Sequence, residues 1–299
     1  MTWQKQGNIF TPDQQRPWIQ SHASLPIAQH LNEDIFRIFF SSRDEQNRSH
    51  IGFLDFDLKS RCIEHISERS ILSPGPVGSF DMNGISPGSV ISYKGRLYLY
   101  YMGWGATKNG QFNNVIGLAI SDPTHTSFTK VRENPIIGLD SKDSLNLTYP
   151  FVMKMREGLQ LWYGSNLHWG DGIRPMHHHI KSAQSKDGLN WNKDDKVAID
   201  LDNSDEFAVL RPTVIFEDGL YKMWYGYKGA AYRIGYATSE DEVYWQRKDE
   251  DCGINPSASG WDSKEVTYPY VFVHQGSKYL LYNGNQYGKT GFGLAIWED

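Results

Sequence analysis

Apolar and polar residues alternate along short runs through most of this chain, and tight polar turns separate the runs. Arg96 opens RLYLYYMGW, Leu159 opens LQLWYGS, Leu220 opens LYKMWYGY and Lys278 opens KYLLYNGN. A period of two, rich in Tyr, Trp and aliphatic residues, is the pattern of a half-buried β-strand. No long segment keeps apolar residues at i, i+3, i+4 and i+7, so long helices are not expected. The pattern predicts an all-β protein.

The runs recur in a fixed succession, and such repeats decide architecture. Ser86-Pro87-Gly88-Ser89-Val90-Ile91, Tyr149-Pro150-Phe151-Val152-Met153, Arg211-Pro212-Thr213-Val214-Ile215 and Tyr268-Pro269-Tyr270-Val271-Phe272 align, with prolines 63, 62 and 57 residues apart. Each is followed by a turn (Lys94-Gly95, Glu157-Gly158, Asp218-Gly219, Gln275-Gly276), the aromatic strand and a loop. A third strand comes next: VIGLAIS from Val115, HIKSAQS from His179, RIGYATS from Arg233, GFGLAIW from Gly291. A fourth starts with an aromatic and a basic residue, at Ser127, Asn190 and Tyr244. Residues 22–72 give a degenerate fifth copy around Pro26. Units of four short antiparallel strands arranged radially make a β-propeller. The expectation is one domain over 1–299, with five four-stranded blades at about 17–75, 78–138, 144–200, 205–256 and 262–299.

The last unit ends at Asp299 without a fourth strand. Thr2-Trp3-Gln4-Lys5-Gln6 matches Tyr244-Trp245-Gln246-Arg247-Lys248, so residues 2–9 are expected to complete that blade and leave no open edge. Because successive strands are antiparallel, the loops entering each inner strand share a face with the loops joining second to third strands. Those second-to-third loops are long and chemically varied, and elaborated loops on a rigid scaffold are where sites lie.

Composition narrows the functional classes. The 299 residues include 30 Lys and Arg against 35 Asp and Glu, a net charge of −5, and 14% are aromatic. Mild acidity argues against sequence-independent nucleic-acid binding. No stretch reaches the roughly 18 apolar residues of a membrane helix, and the opening residues show no basic-then-apolar leader. Cys62 and Cys252 make neither a disulfide framework nor a four-Cys metal site. These features suggest a cytoplasmic protein with no membrane partner.

Three motifs carry a family resemblance: Ser185-Lys186-Asp187-Gly188-Leu189-Asn190-Trp191, Met223-Trp224-Tyr225, and Trp261-Asp262 ahead of Pro269. They resemble five-bladed propeller glycosidases of the arabinanase/xylosidase, invertase-like and mannoside-phosphorylase groups. The likeness is nearest to uncharacterised glycosyl-hydrolase-like propellers. It covers nearly the whole chain, and implies three carboxylates at inner strands: a base or nucleophile in the first blade, a helper Asp and an acid Glu. The first unit instead reads Ser21-His22-Ala23-Ser24, with no Asp beside its inner strand.

The acids nearest inner strands are Asp81, Glu206 and Glu265, the candidate catalytic residues. Glycoside cleavage needs one carboxylic acid for the leaving oxygen and a second carboxylate as base or nucleophile. Asp140, Asp143, Asp202, Asp205 and Asp262 recur in connectors and read as structural. Arg211 stands where two other units carry Tyr149 and Tyr268, and its fork suits a ligand carboxylate or phosphate, or else a structural acid. Arg43, Arg174 and Arg233 add positive potential on the same face and point toward an anionic sugar.

Trp104 and Trp169 suit stacking on a sugar ring, while His22, Asn166, His168, His178, Asn283 and Tyr268 suit hydroxyl contacts. Consecutive histidines 177–179 alternate faces of a strand, so a metal site is not expected, nor any other cofactor. Aromatics such as Tyr98, Tyr100, Trp162, Trp224 and Tyr282 read as packing between units. Asp81, Glu206, Arg211 and Glu265 are expected to converge with His22 on a central cavity. The expected function is glycoside hydrolysis of a small or anionic glycan by paired carboxylates. The alternatives are a non-catalytic carbohydrate-binding propeller and, behind it, a protein-interaction propeller.

Overall fold

The computed structural model describes residues 2–106, 112–171, 176–203 and 205–298. These fold into β-strands, with a 3₁₀ turn at Asp249–Cys252 and a helical turn at Asn285–Gly288. Among the described residues no helix is long and apolar enough to cross a membrane.

The strands, numbered in chain order, form one four-stranded and two eight-stranded sheets. The first eight-stranded sheet holds β2 (Ser21–Asn32), β3 (Ile35–Arg43), β4 (Ser49–Asp57), β5 (Cys62–Ile66), β6 (Gly84–Tyr93), β7 (Arg96–Ala106), β8 (Phe112–Ser121) and β9 (Phe128–Lys130). The second holds β10 (Leu147–Lys154), β11 (Leu159–Trp169), β12 (Met176–Ser185), β13 (Asn192–Ile199), β14 (Ala208–Glu217), β15 (Leu220–Lys228), β16 (Tyr232–Ser239) and β17 (Gln246–Arg247). Five separate sheets were expected, and three are found. The reason is local: one parallel pair, Ser49 with Gly84 or His178 with Ala208, joins β4 to β6 and β12 to β14. On either side of that pair, neighbouring strands run antiparallel in fours.

The four-stranded sheet contains β18 (Thr267–His274), β19 (Ser277–Asn283), β20 (Phe292–Glu298) and the N-terminal β1 (Thr2–Phe10), which pairs with β20. Trp3 anchors this strand. It is 4% exposed, donates its indole N–H to Cys252 O at 3.0 Å, and packs edge-on against Trp297 and Trp224.

Every strand that opens a group of four breaks register at its proline: between Ser24 and Ile27, Pro87 and Ser89, Thr148 and Phe151, Leu210 and Thr213, and Thr267 and Tyr270. Proline has no N–H for the ladder, and a bulge absorbs the gap. Four residues just before a proline take left-handed φ: Leu25 (58°), Tyr149 (49°), Arg211 (57°) and Tyr268 (54°). The core is aromatic, with Tyr100, Trp162, Trp224 and Tyr282 all within 2% of full burial. Third-strand glycines make room for these rings: a Cβ on Gly117 would sit 2.2 Å from the Tyr101 ring.

Candidate functional site

Two of the three candidate acids belong to a repeated buried arrangement. Asp81, 1% exposed, accepts Lys130 Nζ at 2.6 Å, the Tyr101 hydroxyl at 3.2 Å and Ser79 Oγ at 3.0 Å. Asp143 accepts the Tyr163 hydroxyl (2.9 Å) and Ser165 Oγ (2.6 Å), and pairs with Lys181 (3.1 Å) and Lys193 (3.2 Å). Asp262 accepts the Tyr282 hydroxyl (3.0 Å) and Lys5 Nζ (2.6 Å). In all three the tyrosine follows the acid by 20 residues. Lys130, Lys193 and Lys5 come from the outermost strands β9, β13 and β1.

The remaining large unit uses a variant. Glu206 accepts both terminal nitrogens of Arg247 at 3.0 and 3.1 Å, and Arg247 also pairs with Asp249, which takes the Tyr225 hydroxyl. Each of these latches ties the segment before an inner strand to the second and outermost strands. Burial pushes the Tyr101, Tyr163, Tyr225 and Tyr282 hydroxyls far up, so they stay protonated and donate. Burial opposes ionisation of Asp143, but its hydrogen bonds to Ser165 and Tyr163 and the two lysine charges bring it below the usual carboxylate range. For Glu206 burial prevails over the Arg247 pairing and raises it.

A separate cavity of about 210 Å³ lies among β2, β3, β4, β6, β7, β8, β10, β18 and the Asn285–Gly288 turn. Its aromatic walls are Trp104, Phe112, Tyr149, Tyr268 and Tyr287; its polar lining is His22, Arg43, Asn114 and Ser24, Ser41, Ser49 and Ser86. Among the described residues none of the lining side chains is Asp or Glu. The Trp104 indole donates to Ser49 Oγ (3.1 Å), which in turn donates to Ile85 O (2.9 Å). Asn114 is 7% exposed; its backbone N–H bonds Asn146 Oδ1 at 2.6 Å, and its own Oδ1 has no partner. A buried carbonyl oxygen left unpaired costs about 1–3 kcal/mol, which a ligand hydroxyl would recover.

Strand β2 reaches the cavity through two left-handed residues, His22 (φ 63°) and Leu25 (φ 58°). Asn283 fixes the second: its Oδ1 accepts Leu25 N–H at 2.8 Å and its Nδ2 donates to Ala23 O and Gly291 O at 2.7 and 2.9 Å. Burial, then the charges of Arg43 and Lys289, push His22 down to about 4, so it is neutral at pH 7. Behind Tyr149 and Tyr268, whose ring centres are 5.5 Å apart, lies Arg211 with no exposed surface. It donates to Gly88 O and Pro26 O, and its Nε has no partner.

The sequence-derived candidates divide accordingly. His22, Arg43, Trp104 and Tyr268 line the cavity. Asp81, Glu206, Glu265 and Arg211 are not among its lining residues, so the expected convergence with His22 is not found. Asp81 and Glu206 turn to latch cations, Arg211 turns to backbone carbonyls, and the Glu265 carboxylate accepts Gln286 N–H at 3.0 Å. Asn166, His168, Trp169, His178 and Asn283 also lie off the cavity lining. Asn166 Oδ1 accepts His177 N–H (3.0 Å), exposed His168 stacks on His177, and Trp169 pairs across to Met176. His178 is buried and pushed down to about 4 by burial, then by His179 and His177.

Arg233 donates to Tyr232 O and Lys264 O, and Arg174 lies outside the described residues. Among the described residues no three His, Cys, Asp or Glu side chains gather as a metal site would require. Asn114 was not anticipated, although the repeat held a signal. It stands three residues before the third-strand glycine Gly117, as Ser49 does before Gly52, and both line the cavity.

No family model matches the sequence. Two proteins of Mycobacterium tuberculosis strains, Uncharacterized protein MT1551 and Uncharacterized protein Rv1502, are each 44% identical over 300 residues, covering all of both chains. Among solved structures, one titled "Glycoside hydrolase" superposes with a TM-score of 0.74 at 17% identity, over 100% of this chain and 92% of its own. An α-L-arabinofuranosidase from Lactobacillus brevis superposes with a TM-score of 0.70 at 13% identity, over 97% and 95%. The fold is that of glycoside hydrolases, as the motif resemblance implied, and the two relatives close in sequence are uncharacterised.

Proposed function

We propose, from the premise that this chain belongs to the family of the mycobacterial proteins MT1551 and Rv1502 and carries the glycoside-hydrolase fold, that it is a carbohydrate-binding protein. In this reading five four-stranded units surround an axis, and one sugar unit occupies the cavity beside it. One observation carries the reading: the cavity combines an indole wall and an unpartnered buried Asn114 carbonyl with His22 and four serines, without a lining carboxylate. Aromatic faces and convergent hydrogen-bonding groups suit a ring bearing hydroxyls. The volume, about 210 Å³, is below the roughly 300–1,000 Å³ of sites for drug-sized ligands, so a monosaccharide or a chain end fits better than a long glycan.

Glycoside hydrolysis is the second reading. The fold neighbours' titles favour it, and so does Glu265, whose carboxylate holds Gln286 next to the cavity residue Tyr287. It ranks second because hydrolysis needs two carboxylates about 5–5.5 or 6.5–9.5 Å apart across the bond, and Asp81 and Glu206 are bound to Lys130 and Arg247.

Calorimetric titration of a monosaccharide panel, run beside a hydrolysis assay on the matching glycosides, separates the two. The binding reading expects sugar binding that Asn114→Ala and Trp104→Ala each weaken at least tenfold, with no hydrolysis. Hydrolysis abolished by Glu265→Gln would install the second reading. Binding unaffected by either cavity variant would refute the first.

A further inference from the structure

Resting on the sugar-binding reading, we propose that the sugar held in this cavity carries a covalently attached anionic group, a carboxylate or a phosphate, which docks on Arg43 beside His22. Lys5, Lys130, Lys181, Lys193 and Arg247 each meet a carboxylate within 3.2 Å. The cations around the cavity do not. Among the described residues Arg43, Lys289, Arg211 and Lys228 have no Asp or Glu at ion-pair distance.

Arg43 lines the cavity and donates to the neutral Asn47 Oδ1 at 3.0 Å. Arg211 is wholly buried on carbonyl oxygens behind Tyr149 and Tyr268. Lys228 reaches the Tyr287 hydroxyl at 2.9 Å, on another wall. Leaving cations uncompensated around a recess is costly unless something else supplies the negative charge.

Asn114 and the Trp104–Ser49 pair lie on β8, β7 and β4, whereas His22 and Arg43 lie on β2 and β3, with Arg43 directly opposite Ser49 across the β3–β4 ladder. A ligand touching both groups meets hydroxyl-binding side chains and, beside them, a guanidinium. The positive field there is felt by His22, whose protonation Arg43 and Lys289 both oppose, after burial. A guanidinium in such a place binds carboxylate or phosphate by paired, charge-assisted hydrogen bonds.

The test titrates wild-type protein with glucose and galactose, with glucuronate and galacturonate, with glucose 6-phosphate, and with inorganic phosphate alone. Arg43→Gln and the exposed Lys289→Gln are titrated alongside. The expected result is at least tenfold tighter binding of one charged class over its neutral parent. That preference should shrink in both variants, with affinity for the neutral sugar retained. Uronates leading names a carboxylate as the group, and glucose 6-phosphate leading names a phosphate. Equal binding of charged and neutral sugars overturns the proposal and leaves the sugar-binding reading standing. Inorganic phosphate binding as tightly as glucose 6-phosphate also overturns it, since the sugar then contributes nothing. Failure of every sugar, charged or neutral, removes both.

Discussion

The latches and the cavity use the same kinds of residue to opposite ends. In the latches, a carboxylate, a tyrosine hydroxyl and a cation close on one another: Asp81 with Tyr101 and Lys130, Asp143 with Tyr163 and Lys193, Asp262 with Tyr282 and Lys5. Each carboxylate meets both a hydroxyl and a cation, and the arrangement repeats along the chain. In the cavity, among the described residues, Arg43 has no acid and Asn114 Oδ1 has no donor. Satisfied polar networks hold a fold together, while unsatisfied groups at a recess await a ligand. The difference teaches that a buried carboxylate near an inner strand is weak evidence for catalysis until its partners are known.

The largest expected effect comes from breaking a latch together with its strand. Deleting residues 2–10 removes β1, with Trp3 and the Lys5 partner of Asp262, and should lower the melting temperature by roughly 10 °C or more. An unchanged melting curve would mean that β1 is dispensable to the sheet it completes.

Next, Asp143→Ala strips buried Lys181 of its carboxylate and leaves Lys193 only Asp140, and urea unfolding should show a loss of about 3–5 kcal/mol. A loss below 1 kcal/mol would place the latches among ornaments of the fold.

pH separates the buried histidines from the latches by range rather than by sign. His22 and His178 sit near 4 in the fold against about 6.5 when free, so the unfolded chain binds more protons between those values. Stability should therefore fall as pH drops from about 6.5 to 4 and stay flat from 7 to 8. Asp143, held low, keeps its contribution until pH falls below the ordinary Asp range. Replacing both histidines with Gln should flatten the decline between 6.5 and 4; a decline that persists in full assigns it elsewhere.

The smallest stability effect is expected at the cavity. Asn114→Ala removes an oxygen that bonds nothing in the fold, so it should not destabilise the protein while it weakens sugar binding. A loss as large as that of Asp143→Ala would erase the distinction between the regions.

Much of the architecture was legible in the sequence. Alternation and turn residues marked the strands, and the match of Trp3-Gln4 to Trp245-Gln246 placed β1 beside β20. The joining of fours into eight-stranded sheets was not legible, because it depends on single pairs such as Ser49 with Gly84. The site was legible in part. His22 and Tyr268 sit at the bulges of the strands that open each group, and Arg43 and Trp104 near the ends of second strands. Asp81 was set apart from Asp143 and Asp262, though all three precede a tyrosine by 20 residues. What local sequence cannot show is the partner: Lys130 lies 49 residues from Asp81, and Lys5 lies 257 from Asp262. Whether a carboxylate faces a cavity or a lysine is decided by those distant residues.

The most direct test is a crystal structure of the protein with the tightest-binding sugar of the titration panel. The expected result is a single sugar ring against Trp104, one hydroxyl within hydrogen-bonding distance of Asn114 Oδ1, and Asp81 and Glu206 still paired with Lys130 and Arg247. A sugar lodged against Asp81 or Glu206 with those pairs opened, or seated outside the cavity, would contradict the account.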